Sequence, residues 1–408
     1  MEFESLLTAA HDLAPHLSAW RRALHRWPEL AFGEQRTAAL VAARLHEWGI
    51  PCATEIAQTG VVAWVGPETG VTIALRADMD ALPIPEENEV PYRSERPGLM
   101  HACGHDAHTA MLLGAARLLK AREAELPGRV KFIFQPAEEV IPDEGGSGAW
   151  RMIAEGVLDD VDAIVGLHVD PTLPTGRVGI RPGPLMAAAD RFELTILGKA
   201  AHGAHPYQGV DAIVLAAQVI TAVQTLVSRR IPASKEAVVT FGTIQGGSKE
   251  NIICDRVVLT GTVRTFEAAI RDQLEAELAQ VASLVRALGG DYRLRYVRGS
   301  PPVNNDGLLT GFVSRVARQV VGAEQVVEIP KSTGGEDFAW YQQKTRGTFV
   351  RLGCHDPADP QPRALHTPTF DLDEATLPLG AALLAAIAIA WLQEYGHREG
   401  RSRLRSSS

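Results

Sequence analysis

The densest chemistry in the chain lies between Leu99 and Thr109, Leu-Met-His-Ala-Cys-Gly-His-Asp-Ala-His-Thr. His101, Cys103, His105, Asp106 and His108 each offer a lone pair to a metal ion. A single Cys-x-His reads as a polar turn with a buried thiol, but this density favours a metal site. Thiolate, imidazole and carboxylate together suit a borderline ion such as Zn²⁺, with Mn²⁺, Ni²⁺ and Co²⁺ also compatible. Pro97 and Gly98 precede the stretch and the helix-like run Ala110 to Leu119 follows. Cys103 and His105 can therefore project together from a loop that enters a helix, and further ligands must come from elsewhere.

Three other places supply them. Asp78 and Asp80 follow a β-rich run, Glu138 and Glu139 follow Arg129-Val-Lys-Phe-Ile-Phe134, and His168 closes Ala163-Ile-Val-Gly-Leu. Strand ends are where open α/β sheets place their chemistry. Two adjacent carboxylates point in different directions, so one can ligate while its neighbour takes a proton from water. Taken singly, a Glu-Glu pair is usually solvated surface, His168 a core histidine, and His366, in Ala-Leu-His-Thr-Pro, a loop histidine. The recurrence at three strand ends outweighs those readings.

These residues need a framework. Apolar spacing predicts two helices between Phe3 and about Glu47, broken at His25 to Glu34. Val61–Val65 and Val71–Leu75, around Gly66-Pro-Glu-Thr-Gly70, predict a hairpin or strand-loop-strand. Alternation with helices at 110–119 and 148–155 indicates an α/β sheet with buried central strands. The character shifts near Gly183-Pro184. Strands at 190–197, 237–243, 256–265 and 291–297, with helices at 210–227 and 268–288, give a β-α-β-β-α-β order of the ferredoxin-like type. Helix 308–321, strand 348–352 and helix 376–395 resume the first pattern. The expected organisation is a catalytic α/β domain in two parts, 1–185 and 299–396, an inserted α+β domain at 186–298, and a basic, serine-rich tail at 397–408 expected to be disordered.

Composition excludes several classes. The chain has 408 residues, 46% hydrophobic and 22% charged, as in an ordinary globular protein of two domains. A net charge of −9 argues against nucleic acid or anionic membrane as the main partner. The opening Met1-Glu-Phe-Glu-Ser lacks a secretory pattern, and Ala381 to Trp391 reads as too short to span a bilayer. Cys52, Cys103, Cys254 and Cys354 lack framework spacing, which suggests reduced thiols and a cytoplasmic location.

The series Arg76-Ala-Asp-Met-Asp-Ala-Leu-Pro, Met100-His-Ala-Cys-Gly-His-Asp-Ala-His-Thr, Phe134-Gln-Pro-Ala-Glu-Glu, Gly166-Leu-His-Val, Gly335-Glu-Asp-Phe-Ala and Leu365-His-Thr-Pro carries a resemblance. It resembles the amidohydrolase family of hippurate hydrolases, N-acyl-amino-acid amidohydrolases and auxin-conjugate hydrolases, and more distantly aminoacylases and carboxypeptidase G. The motifs run in order over nearly the whole chain, whereas any one alone is weak.

The resemblance implies a zinc-peptidase-like catalytic domain with a mixed central sheet and an inserted lid and dimerisation domain. It implies two divalent metal ions (Zn, Mn, Ni or Co), with Cys103 touching both and His105, Glu139, His168 and His366 completing the shells. Glu138 becomes the general base that later protonates the leaving amine, and Asp80 orients a ligand histidine. His202 is expected to stabilise the oxyanion, and Asn251 and Arg264 to grip a substrate carboxylate. Asp106 is the first alternate ligand, since more distant relatives use an aspartate as the bridge; His101 and His108 are the others. Tyr207, where relatives commonly carry histidine, and Cys254 in place of a proline depart from the pattern, while the stretch Val140 to Gly148 is family-like but carries inserted residues expected to reshape one wall.

The activity implied is metal-dependent hydrolysis of N-acyl amino acids, small-molecule substrates, by a homodimer or higher homo-oligomer. The competing readings are a dipeptidase or carboxypeptidase acting on unblocked peptides, and a non-catalytic metal-binding homologue. Glu138 beside a full ligand set argues against the last.

Overall fold

Strands β1 (Cys52–Ile56), β2 (Gly60–Val65), β3 (Thr72–Asp78), β4 (Arg129–Gln135), β5 (Ala163–Pro174), β6 (Val178–Ile180), β7 (Val326–Glu328) and β8 (Arg346–His355) form one sheet. Its order is β1-β2-β4-β3-β5-β8-β6-β7. The structure is a computed structural model that describes residues 2–140, 146–359 and 362–396. The segment 141–145, within the stretch Val140 to Gly148, and the tail 397–408 lie outside the described residues.

The sheet is mixed. β4, β3, β5 and β8 run parallel as neighbours, while β1 on β2, β2 on β4 and β6 on β8 are antiparallel. The residues explain the placement: β3 is buried along its whole length and β4 almost so, as expected of strands covered on both faces, whereas β1 is half-exposed at the edge. Val61–Val65 and Val71–Leu75 form two strands joined by a loop, the second of the two expected arrangements, rather than a hairpin. The apolar β4 lies between them, and the strand beside β2 in sequence is β1, which the sequence reading missed.

Helix His105–Lys120 packs against helix Thr376–Tyr395 over the sheet. Gly380 lets them approach, because a Cβ there would fall 1.9 Å from Met111 Sδ. Thr376–Tyr395 forms the helix expected there; contrary to the reading of its Ala381–Trp391 run as too short, by length and composition it could cross a membrane, but 83% of that apolar window is buried in this core. Ala212–Arg230 passes the same test with 33% buried. The amino-terminal region holds three helices, Glu2–Asp12, Ala14–Arg26 and Gln35–Glu47, rather than two. The extra break falls at Leu13, where Pro15 opens the second helix and cannot donate an amide to the first.

The chain forms two compact units: one comprises residues up to 183, 304–330 and 340 onward, the other Pro184–Val303 with Lys331–Ala339. The smaller unit is α+β. Its antiparallel sheet orders Ala237–Gly246, Arg256–Thr265, Ala188–Leu197 and Asp291–Val297. Leu215, Val219 and Val223 of helix Ala212–Thr225 and Leu274 and Leu278 of helix Ala268–Ala282 join Leu194, Ile196, Val257 and Leu259 of the sheet in a separate core.

Candidate metal centre

The three neighbouring parallel strands β4, β3 and β5 deliver their carboxyl ends to one place. Asp78 ends β3 opposite Gln135, which ends β4; Asp80 and Glu138-Glu139 follow at once, and His168 lies along β5. The loop before helix His105–Lys120 brings Cys103 and His105 to the same edge. Gly104 makes that turn: its φ is +85°, and a Cβ there would sit 2.5 Å from Val169 Cγ2.

Around Cys103 the donors converge. His168 Nε2 is 3.4 Å and His366 Nε2 3.2 Å from Cys103 Sγ, and His366 Nε2 is also 3.2 Å from Glu139 Oε1. His105 Nε2 stands 3.9 Å from Glu139 Oε1. The sets Cys103–His105–His168, Cys103–Glu139–His366 and His105–Glu138–Glu139 each gather their ligand atoms within 4.8 Å. Overlapping sets that share Cys103, His105 and Glu139 are consistent with a binuclear divalent-metal site.

The tautomers fit that use. His168 donates Nδ1–H to Val169 O at 2.7 Å, which leaves the Nε2 lone pair toward Cys103. Asp80 takes His105 Nδ1 at 3.3 Å on one oxygen and the Glu139 amide at 2.9 Å on the other. His105 Nε2 is buried with no hydrogen-bond partner among the described residues, and Glu139 Oε1 faces the His366 ring nitrogen, another of the candidate donors, at 3.2 Å. The electrostatics agree. The Cys103 and Glu139 hydrogen bonds push the His366 imidazole up to about 10. His105, though burial opposes its charge, is raised well above its usual range by Asp78, Cys103 and Asp80. The cluster favours positive charge at its centre.

Two of the alternates, His108 and Asp106, are engaged elsewhere. His108 has Nδ1 2.6 Å from Asp78 Oδ1, while its Nε2 accepts the Val169 amide at 2.9 Å, so neither nitrogen is spare. Asp106 takes Arg21 Nε at 2.8 Å and His25 Nδ1 at 2.7 Å in a wholly buried network. His101 is buried and joins none of the donor sets; burial pushes its pKa down to about 3. Asp78 is more involved than the sequence suggests. Arg76 binds it at 2.7 Å, and His105 Nε2 lies 3.7 Å away.

His202, Asn251 and Arg264 belong to the smaller unit. His202 is exposed, its Nδ1 accepts the Ala204 amide at 3.0 Å, and its strand pairs with Ile252, beside Asn251. Arg264 is half-buried, and its Nη1 donates to Asp190 O at 3.3 Å and Val263 O at 3.2 Å. Burial lowers its pKa.

Residues 74–390 match the model of peptidase family M20/M25/M40. The chain belongs to this family. It is 43% identical over 367 residues to the N-acetyl-L-cysteine deacetylase of Bacillus subtilis (strain 168), covering 90% of this chain and 85% of that protein. It is 40% identical over 393 residues to the IAA-amino acid hydrolase ILR1-like 4 of Arabidopsis thaliana, covering 95% and 88%. The crystal structure of the Bacillus subtilis YxeP protein, a dinuclear metal-binding peptidase of the M20 family, superposes with a TM-score of 0.82 at 38% identity, covering 94% of this chain and 99% of that one.

As an M20 member with this donor cluster, the protein is an enzyme, a metal-dependent amidohydrolase acting on amide C–N bonds. Sequence reasoning read Pro28-Glu-Leu-Ala-Phe-Gly-Glu34 only as part of a break between helices and did not single out Glu34, which lies beside the turn into Glu138 and Glu139; nothing local tells which way it turns.

Proposed function

We propose that this enzyme hydrolyses the amide bond of N-acyl amino acids (N-acetyl, N-benzoyl or similar) to a carboxylate and a free amino acid. The observation that carries the reading is Glu138, whose carboxylate lies within 4.8 Å of donor atoms of His105 and Glu139 beside a full set of further ligand types. A relative 43% identical is named for deacetylation of N-acetyl-L-cysteine, and one 40% identical for hydrolysis of auxin–amino acid conjugates.

In this reading Cys103, His105, Glu139, His168 and His366 would hold two divalent ions (Zn, Mn, Ni or Co). When bound, such a pair lowers the pKa of water and polarises the scissile carbonyl. Glu138 takes the proton of the attacking water and returns it to the departing amine, so that both the attack and the C–N cleavage use one carboxylate. Asp80 holds His105 by Nδ1 and keeps Nε2 as its donor. His202 donates to the oxyanion, and Asn251 with Arg264 binds the substrate carboxylate. Arg264 suits this because, among the described residues, its hydrogen bonds run from Nη1 to the backbone carbonyls of Asp190 and Val263 rather than to a carboxylate.

The insert, assigned to residues 186–298, serves as a ferredoxin-like lid and dimerisation domain between catalytic parts 1–185 and 299–396. Its strand order and antiparallel pairing support the ferredoxin-like assignment. The working form is a homodimer or higher oligomer in the cytoplasm, in keeping with four free cysteines.

The test is hydrolysis of a panel of N-acyl amino acids by chelator-stripped protein given Zn²⁺, Mn²⁺, Co²⁺ or Ni²⁺ in turn. Restoration by at least one metal, with N-acyl amino acids preferred over unblocked dipeptides, is expected. Preference for the dipeptides would replace this reading with a peptidase.

A further inference from the structure

Glu34 is wholly buried in the catalytic unit, and nothing described so far uses it. It precedes helix Gln35–Glu47, whose first amides are already taken by another carboxylate: Glu29 accepts Arg36 N–H at 3.1 Å and Thr37 N–H at 2.9 Å. Glu34 instead turns inward. Its Oε1 accepts the Ala137 amide at 2.8 Å and its Oε2 the Thr59 hydroxyl at 2.5 Å.

Ala137 has an unusual backbone. Its φ is +52°, in the left-handed region that is unfavourable for a residue with a Cβ. The turn is held on both sides, for Ala137 O accepts the Gly148 amide at 3.0 Å. A Cβ on Gly148 would lie 1.6 Å from Pro136 O, so the turn has no room to relax that way. Glu138 and Glu139 follow immediately. Their directions depend on this one left-handed residue, because a change of φ at Ala137 rotates everything after it.

We infer that Glu34 is a positioning residue that locks Ala137 in the left-handed conformation and so aims the Glu138 and Glu139 carboxylates. The inference rests on the roles proposed above for those two residues. The device works by hydrogen-bond geometry rather than by charge. Burial, then the charge of Asp80, raises the Glu34 carboxyl to about 7, so its neutral form is readily reached at neutral pH and an amide can stand in for it.

Two conservative variants separate geometry from charge. Glu34→Gln keeps the accepting oxygen and loses the charge; Glu34→Asp keeps the charge and withdraws the carboxylate by one methylene. The expected result is Glu34→Gln within about threefold of wild-type kcat, and Glu34→Asp reduced about tenfold or more in kcat with KM little changed. Glu34→Asp is also expected to give up Zn²⁺ at a lower chelator concentration, read by a colorimetric chelator titration. Adding Ala137→Gly, which accepts this φ without penalty, restores part of that loss. Glu34→Gln as impaired as Glu34→Asp, or Glu34→Asp with wild-type kcat and Zn²⁺ retention, would overturn the inference. If Glu34→Asp does not fold, Thr59→Val decides: about a threefold loss in kcat with KM unchanged supports the lock, and wild-type kcat overturns it. Should wild-type protein hydrolyse no N-acyl amino acid, the substrate reading fails, and the chelator titration still tests the lock.

Discussion

Cys103 Sγ and His366 Nε2 stand 3.2 Å apart although 263 positions separate them. His366 reaches the thiol from a strained backbone, φ +60°, fastened by its own amide to Ala102 O at 2.8 Å. Left-handed backbone at a histidine costs about 1–2 kcal/mol, and it persists where surrounding contacts over-determine it. The late segment of the catalytic unit therefore brings a histidine to the donor cluster begun by the early one.

Cys103→Ala is expected to lose bound metal and activity together, because two of the three overlapping donor sets around it contain this thiol. Metal analysis of the purified variant checks this. Unchanged stoichiometry would mean that the shared ligand is another residue.

Glu138→Gln is expected to keep the metal and the fold while kcat falls by about 10²–10⁴, the usual worth of a positioned acid–base group. Metal content, melting temperature and kcat on one preparation give the answer. Near-normal turnover would remove Glu138 from its role.

Asp106→Ala is expected to damage stability rather than metal binding. It leaves the wholly buried guanidinium of Arg21 short of its closest partner, a loss on the order of 3–5 kcal/mol for a broken buried pair. Denaturant unfolding should register that loss, with metal per chain unchanged in the protein that remains folded. Loss of one equivalent of metal without loss of stability would return Asp106 to the ligand shell.

Metal binding is expected to release protons. Burial holds the Cys103 thiol above its usual value, His366 is raised to about 10, and both must be deprotonated to ligate. Affinity should thus rise with pH. Calorimetry in buffers of different ionisation enthalpy counts the protons released; a heat independent of buffer would contradict the ligand set.

His25 makes a pH-dependent contribution to stability. Its nitrogens meet Asp106 at 2.7 Å and Glu86 at 3.2 Å, a geometry that suits the doubly protonated ring. Burial and Arg21 oppose the charge, but Asp106 and Glu86 prevail and hold the pKa above 6.5. A value raised on folding stabilises fully below the unfolded pKa, and that stability is lost as pH climbs through the folded one. The stability difference between wild type and His25→Asn should therefore shrink as pH rises above the ordinary histidine value. A difference that grows with pH would show that the folded ring is neutral.

Much of this protein was legible in its sequence. Apolar runs that end in Asp78/Asp80, Glu138/Glu139 and His168 announced strands with chemistry at their ends, since burial on both faces demands continuous hydrophobicity. Local density around Cys103 announced metal ligands, because few other roles gather thiol and imidazoles so closely. What tertiary structure alone decided is which lone pairs remain free. Asp106 and His108 have the same donor chemistry as His105, yet Arg21, His25, Asp78 and the Val169 amide consume them. Those partners come from distant elements, so no local pattern reveals the competition. Strand order was hidden for a similar reason: β4 pairs with both β2 and β3 and so separates them, a choice made among all the strands at once. The left-handed backbones at Ala137 and His366 are likewise properties of the assembled fold, held against their intrinsic preference by contacts that exist only when distant segments meet.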